Sequence, residues 1–178
     1  YHNAKNAETF GVELDVKKNL DFIGLRGLSF VCNAAYIYSR VRFEEGAPER
    51  DRPLAGQSPY LVNAGFFYQY DDKGISASLL YNRIGKRIES VGVPMQNQDE
   101  DIPDIYEMPR NSLDLTFSKK IGKIVEIKAG IQDILNSKVE YKQFVKLTDD
   151  KGGKSEREQL IRSYRPGVDI NIGVSLRF

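Results

Sequence analysis

Residues 166–178 read Pro-Gly-Val-Asp-Ile-Asn-Ile-Gly-Val-Ser-Leu-Arg-Phe, in which apolar side chains alternate with polar or small ones to the last residue. Successive side chains of a β-strand point to opposite faces, so this stretch predicts a strand with one apolar and one polar face. Its apolar positions are Val168, Ile170, Ile172, Val174, Leu176 and Phe178. Such a strand separates an apolar environment from water.

Six earlier segments alternate in the same way, and helical periodicity appears nowhere at length. The sequence therefore predicts an all-β fold, an antiparallel up-and-down meander of about seven amphipathic strands. The apolar positions of the six segments are, in chain order, Phe10, Val12, Leu14 and Val16; Leu28, Phe30, Cys32, Ala34, Tyr36 and Tyr38; Val62, Ala64, Phe66, Tyr68 and Tyr70; Ile75, Ala77, Leu79 and Tyr81; Leu113, Leu115 and Phe117; and Val125, Ile127, Ala129 and Ile131.

The connections between the predicted strands alternate between short and long. Three charged segments, residues 42–58, 85–108 and 136–165, are predicted as long loops. Residues 71–74 (DDKG) are predicted as a tight turn in which Gly74 supplies a positive φ. All long connections then fall at one end of the sheet. Outer-membrane barrels have this arrangement, with short turns on the periplasmic side and long loops outside.

Aromatic side chains fall near both ends of the predicted strands. In a lipid-spanning barrel they would form two girdles at the membrane interfaces. Tyrosine is also common in strands of every kind, which is the alternative explanation. The girdle residues are Tyr36, Tyr38, Tyr60, Tyr81 and Tyr164 at the outer rim, and Tyr68, Tyr70, Phe117 and Phe178 at the inner rim.

Composition places few limits on function. Lys and Arg number 26 against 25 Asp and Glu, so no global charge indicates a nucleic-acid partner or an anionic surface. No run approaches the roughly 18 apolar residues of a membrane helix. Cys32 is the single cysteine, which excludes a disulfide framework within the chain and predicts a small apolar side chain.

Three segments resemble parts of the TonB-dependent outer-membrane receptors of the Bacteroides type. Residues 52–63 (RPLAGQSPYLVN) are similar to a loop-to-strand segment late in the family's barrel, and residues 8–14 (ETFGVEL) are similar to the strand before it. Residues 131–136 (IQDILN), followed by Tyr141, resemble the penultimate strand. Asp133 departs from the pattern, since asparagine is usual there.

The resemblance implies that residues 1–178 are the C-terminal part, the last seven strands, of a 22-stranded transmembrane barrel in the bacterial outer membrane. It also implies a plug domain in the lumen and a box that engages TonB. No leader is found at Tyr1, so either a leader was removed or the chain is the C-terminal part of a longer protein, and we expect the second. Four apolar residues on the lumen side are expected to pack on the plug, namely Val31, Ile37, Phe67 and Leu80.

The end of the chain also resembles the last strand of outer-membrane barrels, whose terminal aromatic is part of the signal read by the barrel-insertion machinery. The residues that would form this C-terminal insertion signal are Ile172, Val174, Leu176 and Phe178.

Catalysis is not expected, because the single histidine, His2, sits among polar residues with no placed serine partner. The acidic group Asp99, Glu100, Asp101 and Asp104 offers oxygen ligands for calcium but lacks the spacing and glycine of a calcium loop. It predicts a solvated loop. We expect no cofactor, no metal and no nucleic-acid partner.

The resemblance implies an outer-membrane receptor, part of a TonB-dependent system for active uptake of a scarce nutrient. Siderophore, cobalamin, glycan and peptide all remain open as the ligand. The expected partners are outer-membrane lipid, the plug of the same protein, the TonB system and that ligand. Two alternatives share much of the pattern. One is a passive porin-like barrel, and the other is a soluble secreted β-sheet binding domain, whose apolar faces would pack on each other in a sandwich.

Overall fold

The computed structural model describes residues 3–95, 101–148 and 154–176. The described part is all-β apart from two single-turn 3-10 helices, Asp21–Ile23 and Asp71–Lys73. No helix in it is long and apolar enough to cross a membrane. The strands are β1 (Asn6–Asn19), β2 (Leu28–Arg42), β3 (Tyr60–Tyr70), β4 (Ile75–Ile84), β5 (Arg87–Ser90), β6 (Ile105–Glu107), β7 (Arg110–Ile121), β8 (Val125–Gln132), β9 (Val139–Thr148), β10 (Lys154–Tyr164) and β11 (Asp169–Leu176).

Seven of these strands form one antiparallel sheet in the order β1-β2-β3-β4-β7-β8-β11. They are the seven amphipathic segments of the sequence, so the prediction of an antiparallel meander is confirmed. The sheet is open within the described residues, because β1 and β11 each pair with one neighbour only. An edge strand presents unpaired N–H and C=O groups, so each free edge is a place where a further strand could pair.

The other four strands form a second sheet in the order β10-β9-β6-β5. Here the prediction of long loops at residues 85–108 and 136–165 is wrong, because β5, β6, β9 and β10 lie within those segments. In the remaining predicted loop, Arg42 is the last residue of β2, and residues 43–58 lie in no named strand, with only an isolated bridge between Val41 and Arg52. The physical reason for the error is the high charge of β9 and β10, which hides the alternation that sequence reasoning depends on.

The second sheet continues four neighbouring strands of the first. β5 follows β4 after two residues, β6 precedes β7 by two residues, and β8 with β9 and β10 with β11 are separated by short irregular segments. Backbone hydrogen bonds span the interruptions, from Met108 N–H to the Glu140 carbonyl (2.9 Å) and from Ile134 N–H to the Leu113 carbonyl (2.8 Å). The second sheet therefore lies beyond the end of the first that carries the long connections, which we call the long-connection end.

The opposite end, the short-turn end, carries tight connections. Residues 71–74 form the predicted turn, in which Gly74 has φ 58° and its N–H donates to the Asp71 carbonyl. Gly122 has φ 61° in the turn between β7 and β8. Glycine adopts these angles with the least strain, so the short connections favour it.

Little of the described chain is buried. Ile88, which is 2% exposed, is the most buried large side chain, and the other buried apolar residues are Val41, Val139 and Tyr141. All lie at or beyond the long-connection end. Buried Ser58 ties this region together, since its hydroxyl donates to the Tyr60 carbonyl (2.6 Å) and accepts from Gly85 N–H (2.9 Å). The seven-stranded sheet thus has no conventional core on either face.

Candidate functional site

The register places the predicted apolar positions of the seven strands on one face of the main sheet, which we call the apolar face. Directly paired residues share a face, and each apolar position of one strand pairs with an apolar-face position of the next. Directly paired residues across six strands illustrate this pairing, namely Phe30, Phe66, Leu79, Leu115, Ile131 and Ile170. The prediction of amphipathic strands with a common apolar side is confirmed.

The apolar face is exposed from edge to edge. Val12 on β1 is 73% exposed and Ile172 on β11 is 76% exposed, and central residues such as Phe66 and Leu115 are also exposed. Neither sheet packs against this face in the described part of the chain. Soluble monomers rarely expose a continuous apolar patch larger than a few hundred Å². This face therefore requires an apolar environment.

On four of the seven strands, β1, β2, β4 and β7, a charged residue bounds the apolar face, and β1 has one at each end. On β1 the bounds are Glu8 and Lys18, with only apolar side chains at the four intervening positions on this face. Ten residues at about 3.4 Å each give a band about 34 Å long, measured along the strand. On β7 the short-turn bound is Lys119.

The bounding charges at the long-connection end have polar partners. The Arg42 guanidinium lies 2.9 Å from the Glu8 carboxylate, and that of Arg40 lies 3.1 Å from the Asp51 carboxylate. On β4 the last apolar-face residue is Arg83, whose guanidinium donates to the Asn111 side-chain oxygen (2.7 Å). This end of the face is therefore a polar border.

Four predicted girdle residues lie next to that border. Tyr36 and Tyr60 are directly paired, and Tyr38 stacks on Phe10 with ring centroids 4.8 Å apart. The Tyr81 hydroxyl donates to the Asn111 side-chain oxygen (2.8 Å). The Tyr60 hydroxyl accepts from the Arg83 side chain (3.4 Å), so Tyr60 and Tyr81 both have a hydroxyl at the polar border, which suits an apolar-to-polar boundary.

Three girdle residues lie toward the short-turn end. Tyr68 and Phe117 flank Ala77 in register, and the Tyr70 ring lies 5.4 Å from the Lys73 ammonium. Tyr164 belongs to β10, so it lies in the second sheet and not on the apolar face. The structure therefore brings seven of the predicted residues to the two ends of the apolar face. Phe178 lies outside the described residues.

The proposed insertion-signal residues continue the apolar face at its edge. Ile172, Val174 and Leu176 pair with Ala129, Ile127 and Val125 of β8, respectively. Their side chains are exposed, and the outer edge of β11 pairs with no described strand. The fourth residue of the signal, Phe178, is not described.

The opposite face of the main sheet is polar, and side chains of directly paired residues form hydrogen bonds across its strands. The cross-strand hydrogen bonds on this polar face are Asn33 to Asp15 (2.6 Å), Ser78 with Thr116 (2.6 Å), Ser76 with Ser118 (2.7 Å) and Asn82 to Asn63. These short polar side chains satisfy one another's hydrogen bonds, and the polar face can therefore be in contact with water.

An apolar island interrupts the polar face near the middle of the sheet. Val31 and Leu80 lie on either side of Gly65 in register, and Phe67 is close by on β3. A Cβ at Gly65 would lie 2.5 Å from Leu80 Cδ2, so glycine lets the leucine side chain cover the strand. Phe67 and Leu80 remain exposed. Ile37, the fourth residue of the predicted lumen group, pairs with Gly11 nearer the long-connection end.

In the second sheet, lysine side chains pack against aromatic rings and acids. The Lys86 ammonium lies 4.3 Å from the ring centroids of both Tyr106 and Phe144. Burial, with the nearby Asp104 carboxylate as a smaller cause, raises the pKa of Tyr106. The Lys142 ammonium lies 2.7 Å from Glu158 and 3.3 Å from Glu140, and its hydrogen bond to Glu158 is the main cause that raises its pKa.

The acidic group of the sequence is only partly described. Asp104 accepts a hydrogen bond from Gly92 N–H (2.8 Å), and Asp101 accepts one from Met95 N–H (2.8 Å) and pairs with Arg50. Asp99, Glu100 and the single histidine, His2, lie outside the described residues. The described side chains include no group of three or more potential ligands that could hold a metal ion.

Sequence reasoning missed two features of this site. The bounding charges were not recognised, although each is the first charged residue at an apolar-face position toward a strand end, as Glu8 and Lys18 are on β1. The second sheet was also missed. A weak signal for it exists in β9, where Val139, Tyr141, Gln143 and Val145 occupy alternate positions.

Comparison of the chain with protein-family models, with curated proteins and with solved structures finds no match. The interpretation of the site therefore rests on the residues and their geometry.

Proposed function

We propose that the chain is the C-terminal part of the barrel of a TonB-dependent outer-membrane receptor, as its resemblance to the family implies. In this proposal the apolar face contacts lipid and the polar face lines the lumen. The 22-stranded barrel is completed by strands that pair with the free edges of β1 and β11. The long-connection end points out of the cell, and the short-turn end points to the periplasm.

The observation that carries the proposal is the bounded apolar face. Strands of outer-membrane barrels tilt by about 35–45°, and a band about 34 Å long along a strand then spans about 24–28 Å across the membrane. The apolar band of such barrels is about 25 Å tall. The spacing between Glu8 and Lys18 on β1 therefore fits a lipid bilayer.

The exposed face weighs against the soluble alternative. A sandwich would cover the apolar side chains of one sheet with those of another. In the described residues the second sheet instead extends the same strands lengthwise, and Val12 and Ile172 remain largely exposed. A porin-like barrel would share the lipid-facing surface, so the choice between porin and receptor rests on the resemblance and on energised uptake.

The proposal assigns the second sheet to the outer surface, where it contributes to ligand capture. Its strands are β5, β6, β9 and β10. The transported ligand is a scarce nutrient of the siderophore, cobalamin, glycan or peptide class. The plug of the same protein and the TonB system are the partners that energise transport.

The test uses the full-length protein expressed from its gene in a Gram-negative host with and without a functional TonB system. The proposal predicts that the protein is found in the outer-membrane fraction and that cells take up a nutrient of one of these classes only when TonB is present. Uptake that persists without TonB would establish the porin alternative. Recovery of the protein from the periplasm or the medium would establish the soluble alternative.

A further inference from the structure

The connection between β1 and β2 exposes large apolar side chains at the short-turn end. We call residues 20–27 the β1–β2 turn. Phe22 is 70% exposed, Ile23 is 57% exposed and Leu25 is 47% exposed. The corresponding turn between β3 and β4, Asp71–Lys73 with Gly74, carries only charged residues and glycine. The β1–β2 turn is therefore more apolar than a solvated turn requires.

The backbone of this turn is held by hydrogen bonds. Leu20 N–H donates to the Leu28 carbonyl (2.8 Å), Gly24 N–H donates to the Asp21 carbonyl (3.0 Å) and Gln69 N–H donates to the Gly27 carbonyl (2.8 Å). The Asp21 carboxylate also accepts from Gly27 N–H (3.1 Å). These contacts fix the backbone positions from which the exposed side chains project.

The turn is continuous with the apolar face. Lys18 occupies an apolar-face position, paired with Phe30, and its ammonium lies 5.2 Å from the Phe22 ring centroid. The Phe22 ring therefore lies beside the short-turn border of that face. Lys17 and Arg26 add two further cations next to the turn.

We propose that the β1–β2 turn inserts Phe22, Ile23 and Leu25 into the interfacial layer of the same membrane, with the neighbouring cations against lipid phosphates. This inference rests on the proposed lipid contact of the apolar face. Two observations select lipid as the occupant. The turn is continuous with that face, and its apolar side chains are flanked by cations, as in segments that lie in a membrane interface. Long basic side chains beside an apolar surface keep their charge at the headgroups.

The test measures the depth of spin labels in the full-length protein, reconstituted in phospholipid vesicles. Native cysteines are first replaced, Cys32→Ala among them. Single labels are then attached to Ile23→Cys in the turn, to Asp72→Cys in the control turn and to Leu14→Cys on the apolar face. Collisions with oxygen, which is concentrated in lipid, are compared with collisions with a water-soluble nickel complex.

We expect the label at 14 to collide mainly with oxygen, the label at 72 mainly with nickel, and the label at 23 to show an oxygen-to-nickel ratio several-fold above that at 72. A label at 23 that matches the label at 72, while the label at 14 remains in lipid, would overturn the inference alone. A label at 23 that is shielded from both reagents would identify a protein partner and also overturn it. A label at 14 that collides mainly with nickel would overturn the proposed function as well.

Discussion

An arginine in the middle of the apolar face should be far more harmful than one on the polar face of the same strand. Leu79 is the fifth of the ten residues of β4 and lies four residues from Arg83 at the border. Four residues span about 13 Å along the strand and about 10 Å across the membrane at the usual tilt. The side chain therefore lies near the middle of the band, where, if the proposed barrel is correct, arginine should destabilise the protein by about 2–4 kcal/mol.

The matched control is Ser78→Arg, one residue away on the polar face. This change removes the hydrogen bond between Ser78 and Thr116 (2.6 Å), which contributes about 1 kcal/mol. Leu79→Arg should then exceed Ser78→Arg by about 1–3 kcal/mol, roughly 5- to 150-fold in the folding equilibrium. A depth control is Ile75→Arg, which lies beside the short-turn border next to Lys119 and should cost only about 0–1 kcal/mol.

The assay is urea unfolding of the full-length protein in phospholipid vesicles, followed by the gel mobility of the folded, unheated barrel. Ser78→Arg with a cost equal to that of Leu79→Arg would refute the assignment of the two faces. Equal decreases in the free energy of unfolding for Leu79→Arg and Ile75→Arg would indicate that both side chains are buried in a protein core. That result would favour the sandwich over a membrane of finite thickness.

Three further outcomes follow from particular contacts. Gly65→Val should destabilise the protein by about 1 kcal/mol in urea unfolding, because its Cβ would displace the exposed Leu80 side chain (Cδ2 at 2.5 Å) and lie 3.1 Å from the Leu79 carbonyl oxygen. Gly173→Val, with nothing within 4 Å, should be neutral or stabilising, and equal effects would contradict the close approach at Gly65. Ser58→Ala should lower the free energy of unfolding by about 1–3 kcal/mol in the same assay, since it removes buried hydrogen bonds to the Tyr60 carbonyl and Gly85 N–H. A larger decrease from Ser76→Ala would contradict this prediction. Burial raises the pKa of Tyr106 in the folded protein, so its contribution to stability is complete below the unfolded pKa of about 10 and is lost as the pH rises through the folded pKa. The free energy of unfolding, relative to that of Tyr106→Phe, should therefore fall above about pH 10. A difference between the two proteins that does not change with pH would refute the burial of the hydroxyl.

The main sheet was predictable because its signal is local. Alternation at a period of two identifies both the strand and its apolar face, as at Phe10, Val12 and Leu14, and no knowledge of the neighbours is needed. The register is not local. It depends on which strands pair and on the turns that join them. Examples are the pairing of Phe30 with Phe66 and the position of Gly65 between Val31 and Leu80.

The second sheet could not be predicted for a related reason. A strand alternates only where its two sides meet different environments. β10 is exposed along its described side chains and carries Glu156, Arg157 and Glu158 in succession, as a strand with water on both sides permits. Its pairing with β9 is set by backbone hydrogen bonds and contacts such as that between Glu158 and Lys142.

The position at which the alternation stops is itself informative. On β4 the apolar face ends at Arg83, and the strand is interrupted two residues later, at Gly85, before it continues as β5. On the neighbouring strand the interruption falls at Met108 and Pro109, just before Asn111, which binds Arg83. The apolar face therefore ends at the same register position on both strands, although the two segments are far apart in sequence. In the proposed barrel this shared boundary would be the membrane surface. The border charges, more than the apolar residues between them, would therefore distinguish a bilayer from a covering protein layer.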